Sequence, residues 1–281
     1  MVDGLVWLNG RVVGQDEATV AALDHGLTVG DGVFETMKVV GRTPFAFTRH
    51  LARLRRSLAV LDLTVAMDDD AFRNAATELI ACQADGGGVP GRLRITVTAG
   101  LGPLGSGRTG APPTVILAAA PGTPWPPTER IARVPWVRNE RSAVAGAKTT
   151  SYAENVVALA SAKRHGAGEA ILANTVGTLC EGTGTNIFIG REERLRTPAL
   201  SSGCLAGVTR ELVCELIEVE ESALLTFADL DQADEIFLTS STRDVHPVSH
   251  LDGAPVPSAP GPLTAAAAAA FAALADHDLD P

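Results

Sequence analysis

The sequence predicts an α+β chain of two unequal lobes. Short apolar runs alternate with helical periodicities through the first third. The stretch PGTPWPPTER at 121–130, with four prolines, suits neither helix nor strand and marks a boundary. A second mixed region follows, rich in glycine turns. A chain of 281 residues is long enough for two cores of ordinary size.

The elements can be justified in order. LVWLNGRVV, residues 5–13, sets Asn-Gly between two apolar runs, a hairpin signal. VFETMKVVGRTPFAF, residues 33–47, repeats that design with Gly41 at the turn. In TRHLARLRRSLAVLDL, Leu51, Leu54, Leu58 and Leu61 recur at helical spacing, with Thr48 as the expected cap. RLRITVTA, residues 92–99, alternates strictly, putting Leu93, Ile95, Val97 and Ala99 on one face and Arg92, Arg94, Thr96 and Thr98 on the other. TVILAAA closes the first lobe. Beyond the prolines, residues 152–165 read as a helix and EAILAN, residues 169–174, as a strand. TVGTLCEGTGTNIFIG, residues 175–190, reads as a turn-rich hairpin. GVTRELVCELI is a helix opening on Gly207, and EIFLTSSTRDVHPV, residues 235–248, a strand running into a hydroxyl-rich loop. The boundaries that follow are 1–120 for the small lobe, 121–130 for the linker and 131–281 for the large lobe, and a cleft between lobes is a common cofactor site. TAAAAAAFAALA, residues 264–275, is too short to span a bilayer and reads as a surface-packed helix.

Composition narrows the function. A net charge of −10 supplies no basic footprint for nucleic acid. No apolar amino-terminal stretch resembles a secretion signal and no charge-free run reaches membrane-spanning length, so neither membrane nor export is expected. Cys82, Cys180, Cys204 and Cys214 show no metal-ligand spacing, which suits reduced thiols in a cytoplasmic protein.

Three elements suit an anion. Gly207, Val208 and Thr209 open a helix whose free N–H groups and positive dipole end would hold a phosphate. Thr239, Ser240, Ser241 and Thr242 crowd hydroxyls after a strand. Arg53 offers a charge-assisted bond from the first helix. Lys148, at the head of KTTSYAEN, would be an ordinary surface lysine on its own. Joined to a phosphate cup and to Glu181 in CEGTGTN, it matches what pyridoxal 5'-phosphate requires: a lysine for the Schiff base, a carboxylate for the pyridine nitrogen and a phosphate site.

From DHGLTVGDGVFET through PFAFTRHLARLRRSL, KTTSYAENVVALASAK, TLCEGTGTNIFI and LSSGCLAGVTRELV to FLTSSTRDVHPV, the chain resembles the class IV, or fold type IV, pyridoxal phosphate aminotransferase family. That family includes D-amino acid and branched-chain aminotransferases, (R)-amine transaminases and 4-amino-4-deoxychorismate lyase. The resemblance implies a small α/β lobe, a larger pseudo-barrel lobe holding the cofactor, and a homodimer that shares loops between active sites. It implies that Lys148 is the catalytic Schiff-base lysine and that Glu181 partners the pyridine nitrogen. Arg53 matches the phosphate arginine of H-x-x-R-L, with His50 and Leu54 in register. Val208, Thr209, Ser240 and Ser241 match the phosphate cup, Asn186 a turn-supporting asparagine and Phe34 an aromatic wall.

The substrate is less legible. Ala99 stands before Gly100 where the best-known D-specific relatives carry arginine, and His25 stands where many relatives carry arginine. Arg94 and Arg243 are the expected substitutes for the carboxylate, with Arg92 a surface alternative. AGLGPLGSGR, residues 99–108, reads as a mobile loop from which Arg108 reaches substrate. The expectation is transamination between a D-amino acid or (R)-amine and a 2-oxo acid, in two half-reactions. The lyase, releasing pyruvate with Thr36 as a proton-handling hydroxyl, is the alternative, followed by a branched-chain enzyme. A non-catalytic cofactor carrier is disfavoured by the intact Lys148 and Glu181.

Overall fold

The computed structural model describes residues 4–122 and 124–281. Its elements are β1 (Leu5–Leu8), β2 (Arg11–Gly14), α1 (His25–Thr28), β3 (Gly32–Val40), β4 (Thr43–Pro44), α2 (Phe47–Val60), α3 (Asp69–Asp85), β5 (Arg92–Thr98), β6 (Thr114–Ala120) and β7 (Glu129–Arg138). There follow α4 (Ala153–Arg164), β8 (Glu169–Asn174), β9 (Leu179–Gly182), β10 (Asn186–Arg191), β11 (Arg194–Pro198), α5 (Val208–Leu216), β12 (Glu220–Ser222), α6 (Phe227–Asp231), β13 (Glu235–Ser240), β14 (Asp244–Leu251), β15 (Ala254–Pro255) and α7 (Pro262–His277). The chain resolves into two compact units. The first comprises residues 1–123 with 147–152 and 278–281; the second comprises 124–146 and 153–277.

The division corrects a simple bisection of the chain. The crossing at 123/124 does lie in the proline-rich stretch, whose Thr123 is outside the described residues, but Glu129 and Arg130 already belong to β7. The segment bearing Lys148 and the carboxy-terminal residues both return to the first unit. No composition shift announces either return, because each is a tertiary pairing with distant residues.

In the first unit, six strands in the order β2-β1-β6-β5-β3-β4 form an antiparallel sheet. The strand period of two divides β3: Val33, Met37 and Val39 enter the core, where Leu54, Leu58, Phe72, Leu79, Leu93, Ile95 and Leu117 also lie. The expected Asn9-Gly10 hairpin forms, with Leu8 opposite Arg11. The second expected arm shrinks to Thr43–Pro44, since Phe47 already starts α2.

Helix α2 also corrects its expected cap. Its N-cap is Ala46, held at φ +53° with no capping side chain, and Thr48 lies inside the first turn. The cap comes from the far end of the chain. Asp280 accepts the Thr48 N–H and hydroxyl at 2.7 Å each, Arg73 bonds the same carboxylate at 3.0 Å, and the Ala46 N–H donates to Leu279 O at 2.7 Å. A carboxylate here answers the open N–H groups and positive end of α2.

In the second unit, nine strands form one sheet in the order β12-β11-β10-β13-β14-β7-β8-β9, with β15 on β14. Parallel pairing of β7 with β8 buries EAILAN along its whole length, beneath α4 through Ala158 and Ala162. Two expectations change. TVGTLCEGTGTNIFIG is not one hairpin: β9 pairs with β8, whereas β10 pairs with β11 and β13. The hydroxyl run after β13 is a tight turn, and the chain continues as β14 antiparallel to it. The Ala-rich tail forms α7, burying Thr264, Ala267 and Phe271. No helix among the described residues is long and apolar enough to cross a membrane.

Asp280→Ala should lower the stability of the protein by about 1 kcal/mol, read as a lower urea midpoint at unchanged slope. An unchanged midpoint would show the cap to be idle.

Candidate active site

In the first unit the site is built on β3, whose two faces carry different chemistry. On the core face lies Glu35, completely buried. A carboxylate there is tolerable only when paired. Arg53 supplies a two-pronged partner, Nε to Oε1 at 2.8 Å and Nη2 to Oε2 at 2.7 Å, and His50 Nδ1 lies 2.7 Å from Oε2. Burial alone would raise the Glu35 pKa, but the charge and bonds of Arg53, with the bond from His50, hold it at about 2. An ionised carboxylate only accepts, so His50 Nδ1 carries the proton of that bond. Burial in turn pulls the His50 pKa down. The H-x-x-R-L motif is thereby explained: the helical period puts His50 and Arg53 on one side of α2, both against Glu35.

On the opposite face Phe34 gathers cations. Arg94 Cζ lies 3.7 Å from its ring centroid and Lys148 Nζ 4.4 Å, while Tyr152 meets the ring edge-on at 5.2 Å. The sheet register explains Arg94, which pairs with Thr36 and so shares the Phe34 face. Arg94 is exposed and bonds Thr96 Oγ1 through Nε at 3.1 Å. Lys148 arrives by an added strand, Phe34 N donating to Lys148 O at 2.9 Å and Thr150 N to Gly32 O at 2.8 Å. Phe34, Arg94 and Lys148 are thus brought together, with Tyr152 beside them.

In the second unit Leu205 is the junction. Its N–H donates to Glu181 Oε2 at 2.8 Å and its carbonyl accepts from Asn186 Nδ2 at 2.9 Å. Arg138 Nε lies 3.0 Å from Glu181 Oε1, a second cationic partner that the sequence reading missed. Arg138 stands far from Glu181 in sequence and falls in no motif. Asn186 also explains Gly207: a Cβ there would come within 2.0 Å of Asn186 Oδ1. Gly207 then caps α5 without a side chain, leaving the first N–H groups, at the buried Val208 and Thr209, open for an anion. Thr239, opposite Asn186 on β13, has a buried hydroxyl with no hydrogen-bond partner among the described residues, and Ser240 follows it half-buried before the turn residue Ser241. A held carboxylate, an uncapped helix start and an unsatisfied buried hydroxyl fit a phosphorylated pyridine cofactor.

Two expected substrate arginines are engaged elsewhere. Arg243 is turned inward: Nη1 bonds Glu129 Oε2 at 2.7 Å, Nη2 lies 3.5 Å from Glu169 Oε2, and the guanidinium stacks 3.9 Å from the Trp125 centroid. With two carboxylates of its own it stands as an ion pair within the second unit, and the structure does not bring it together with Phe34, Arg94 and Lys148. Arg108 grips Asp31 at 2.6 and 2.8 Å and Asp62 O at 3.1 Å, tying down the glycine-rich loop expected to be mobile. His25 packs beneath that loop, its Nε2 3.0 Å from Pro103 O, and only glycine fits at 102, where a Cβ would meet the imidazole at 2.0 Å.

A pH dependence follows from Glu35. Its folded pKa is depressed below the ordinary 4.5, so the stability it contributes is present above that value and is lost as pH falls from 4.5 toward 2. Glu35→Gln should flatten the acid limb of the stability curve in that window while costing about 3–5 kcal/mol at neutral pH, measured by urea unfolding. An acid limb unchanged in the variant would contradict the pairing.

Comparison with known proteins gives the family. Residues 32–251 match the model of the class IV amino-transferase family. A D-alanine aminotransferase of Bacillus licheniformis is 31% identical over 272 residues, covering 92% of this chain and 93% of that protein. The crystal structure of the branched-chain amino acid aminotransferase of Escherichia coli superposes with a TM-score of 0.88 at 28% identity, covering 97% of this chain and 94% of that one. A T.th. branched-chain amino acid aminotransferase, solved with pyridoxamine 5'-phosphate, gives a TM-score of 0.87 at 26% identity over 96% of this chain and 93% of its own. The chain belongs to the class IV aminotransferases, fold type IV enzymes that work with pyridoxal phosphate.

Proposed function

We propose that the enzyme moves an amino group from a D-amino acid to a 2-oxo acid in two half-reactions. Lys148 is the covalent attachment point and proton carrier. Glu181 partners the ring nitrogen, while Arg53, Val208, Thr209, Ser240 and Ser241 hold the phosphate. Phe34 and Arg94 face the substrate. Pyridoxal phosphate, when bound, supplies an electron sink for a carbanion beside nitrogen. The observation that carries the reading is the shared ring of Phe34, which has the Lys148 ammonium at 4.4 Å and the Arg94 guanidinium at 3.7 Å. A proton carrier and a carboxylate receptor on one aromatic face are what α-proton transfer from an amino acid needs.

Each residue then has a definite task. Arg94 orients the substrate carboxylate through its planar fork, leaving the α-hydrogen to the neutral amine of Lys148, which takes it as a proton and returns it to the carbon on the far side of the amino nitrogen. Phe34 and Tyr152 limit water around that amine and keep the transferred proton from exchanging. Glu181 is held in place by the Leu205 N–H and by Arg138, and a carboxylate so placed is the partner that a protonated ring nitrogen requires. Val208 and Thr209 contribute backbone N–H groups at the positive end of α5, and Arg53, held rigid by Glu35, contributes a fixed charge.

The choice of a D-donor rests on the 31% identity to the D-alanine enzyme; a putative branched-chain-amino-acid aminotransferase of Methanocaldococcus jannaschii is 33% identical over 258 residues, so identity alone does not separate the two donors. An L-branched-chain donor is the second reading, favoured by the similarity to the Escherichia coli structure and by Ala99 standing where D-specific relatives carry arginine. None of the relatives named above is a lyase, and that alternative is not carried forward. We further propose a homodimer formed through the exposed Leu23, Leu27, Val29, Leu101 and Leu104. These gather around α1 and the loop after β5, which are joined by the bond from Gly102 N to Leu23 O.

Adding D-alanine, D-glutamate or L-leucine without acceptor to the holoenzyme should bleach its visible band with the D-donors. Bleaching by L-leucine alone would put the branched-chain reading first, and bleaching by none would overturn transamination. Glu181→Gln should retain the cofactor but slow the bleaching by ~100-fold or more; an unimpaired rate would remove Glu181 from its role. Sedimentation should give twice the chain mass, and Leu27→Glu with Leu104→Glu should shift it toward the monomer. A monomeric parent protein would refute the dimer.

A further inference from the structure

Helix α2 carries another buried residue on the side that bears His50 and Arg53. Ser57 follows Arg53 by four positions, one turn along the same face. Its Oγ accepts the Lys148 backbone N–H at 3.0 Å. Around that bond the lysine segment is held on β3. Phe34 N donates to Lys148 O at 2.9 Å, Thr149 bridges Val33, and Thr150 N donates to Gly32 O at 2.8 Å. The Thr150 and Ser151 hydroxyls both reach Gly30 O at 3.0 Å. In a regular antiparallel ladder a residue opposite Phe34 would direct both its N–H and its carbonyl at that residue. Here the carbonyl does so and the N–H is taken by Ser57, which turns the preceding peptide plane away from the sheet.

That plane sets the direction of the Lys148 Cα–Cβ bond, and from there the reach of Nζ to its place 4.4 Å from the Phe34 centroid and 5.8 Å from the Tyr152 centroid. We propose that Ser57 is the positioning residue of Lys148: its hydroxyl fixes the lysine main chain so that the amine is presented in one orientation. The inference rests on Lys148 being the attachment point and deepens that reading. It also gives α2 a single purpose. The helix holds Arg53 through Glu35 and Lys148 through Ser57, so one rigid element spaces the phosphate-binding charge from the covalent anchor. The hydroxyl is required because backbone pairing with β3 leaves one N–H over, and a buried N–H without an acceptor is costly. An alanine at 57 would preserve the packing of α2 and remove that acceptor.

The test uses the full chain stripped of cofactor, comparing the parent protein with Ser57→Ala, Ser57→Thr and Lys148→Ala after far-ultraviolet circular dichroism has established that each is folded. Pyridoxal phosphate is added, the growth of the visible band is followed, its pH midpoint is titrated, and borohydride-reduced protein is mapped by peptide mass spectrometry. The label should lie on Lys148 in the parent, Ser57→Ala and Ser57→Thr proteins and be lost in Lys148→Ala. In Ser57→Ala the band should grow at least ~10-fold more slowly, with a displaced pH midpoint, because a misaimed amine attacks poorly. Ser57→Thr, which keeps the hydroxyl, should restore both. Parental rate and midpoint in Ser57→Ala would overturn the positioning role and leave the Lys148 reading standing. A Ser57→Thr protein as slow as Ser57→Ala would overturn it as well, by showing that packing and not the hydroxyl matters. Label on a residue other than Lys148 in the parent protein would overturn the underlying reading itself.

Discussion

The first unit depends on a buried charge. Glu35 has no access to solvent, and a carboxylate in that position must have cationic partners or lose its proton. Arg53 and His50 on α2 meet the requirement, so the electrostatics that keep Glu35 ionised also lock α2 onto β3 in a single register. The apolar contacts of Leu54, Leu58 and Met37 would tolerate some sliding; a bidentate guanidinium does not. From this one constraint follow the position of Ser57, hence of Lys148, and the fixed direction of Arg53. The strand passes the constraint to its other face, where Phe34, the residue before Glu35, collects the cations.

The second unit solves its problem with backbone. Glu181 sits in a short strand with its carboxylate held from two sides, and α5 starts without a side-chain cap. The stretch from Leu205 to Gly207 joins them: Leu205 ties the carboxylate to Asn186, and at Gly207 α5 comes so close that a Cβ would displace the Asn186 amide. Farther from the site, Glu169 is buried with its pKa pushed up by desolvation, opposed by Arg243 and the Thr183 hydroxyl. That pairing engages Arg243, which turns toward Glu129 and Glu169.

Much of this was legible in the residues, and the failures share one cause. The hairpin at Asn9-Gly10, the alternation of β5, the helix opening at Gly207 and the strand EAILAN are local signals, and each forms where its residues place it. The motif H-x-x-R-L marked His50 and Arg53 at helical spacing, and the alternation of β5 put Arg94 on the face away from the core. Partners brought by tertiary pairing were not legible: Asp280 capping α2, Ser57 reaching Lys148, Arg138 reaching Glu181, and Glu129 with Glu169 capturing Arg243. The same limit misassigned β9 and β10 to one hairpin, since the turn chemistry between them is sound and only the sheet order separates them.

The central proposal is that Lys148 is the attachment point of pyridoxal phosphate and Glu181 the partner of its ring nitrogen. A crystal structure of the protein soaked with pyridoxal phosphate tests it most directly. The account predicts electron density continuous from Lys148 Nζ into the cofactor, with a Glu181 carboxylate oxygen within hydrogen-bond distance of the ring nitrogen. Density joined to another lysine, or a ring nitrogen that faces a residue other than Glu181, would contradict it.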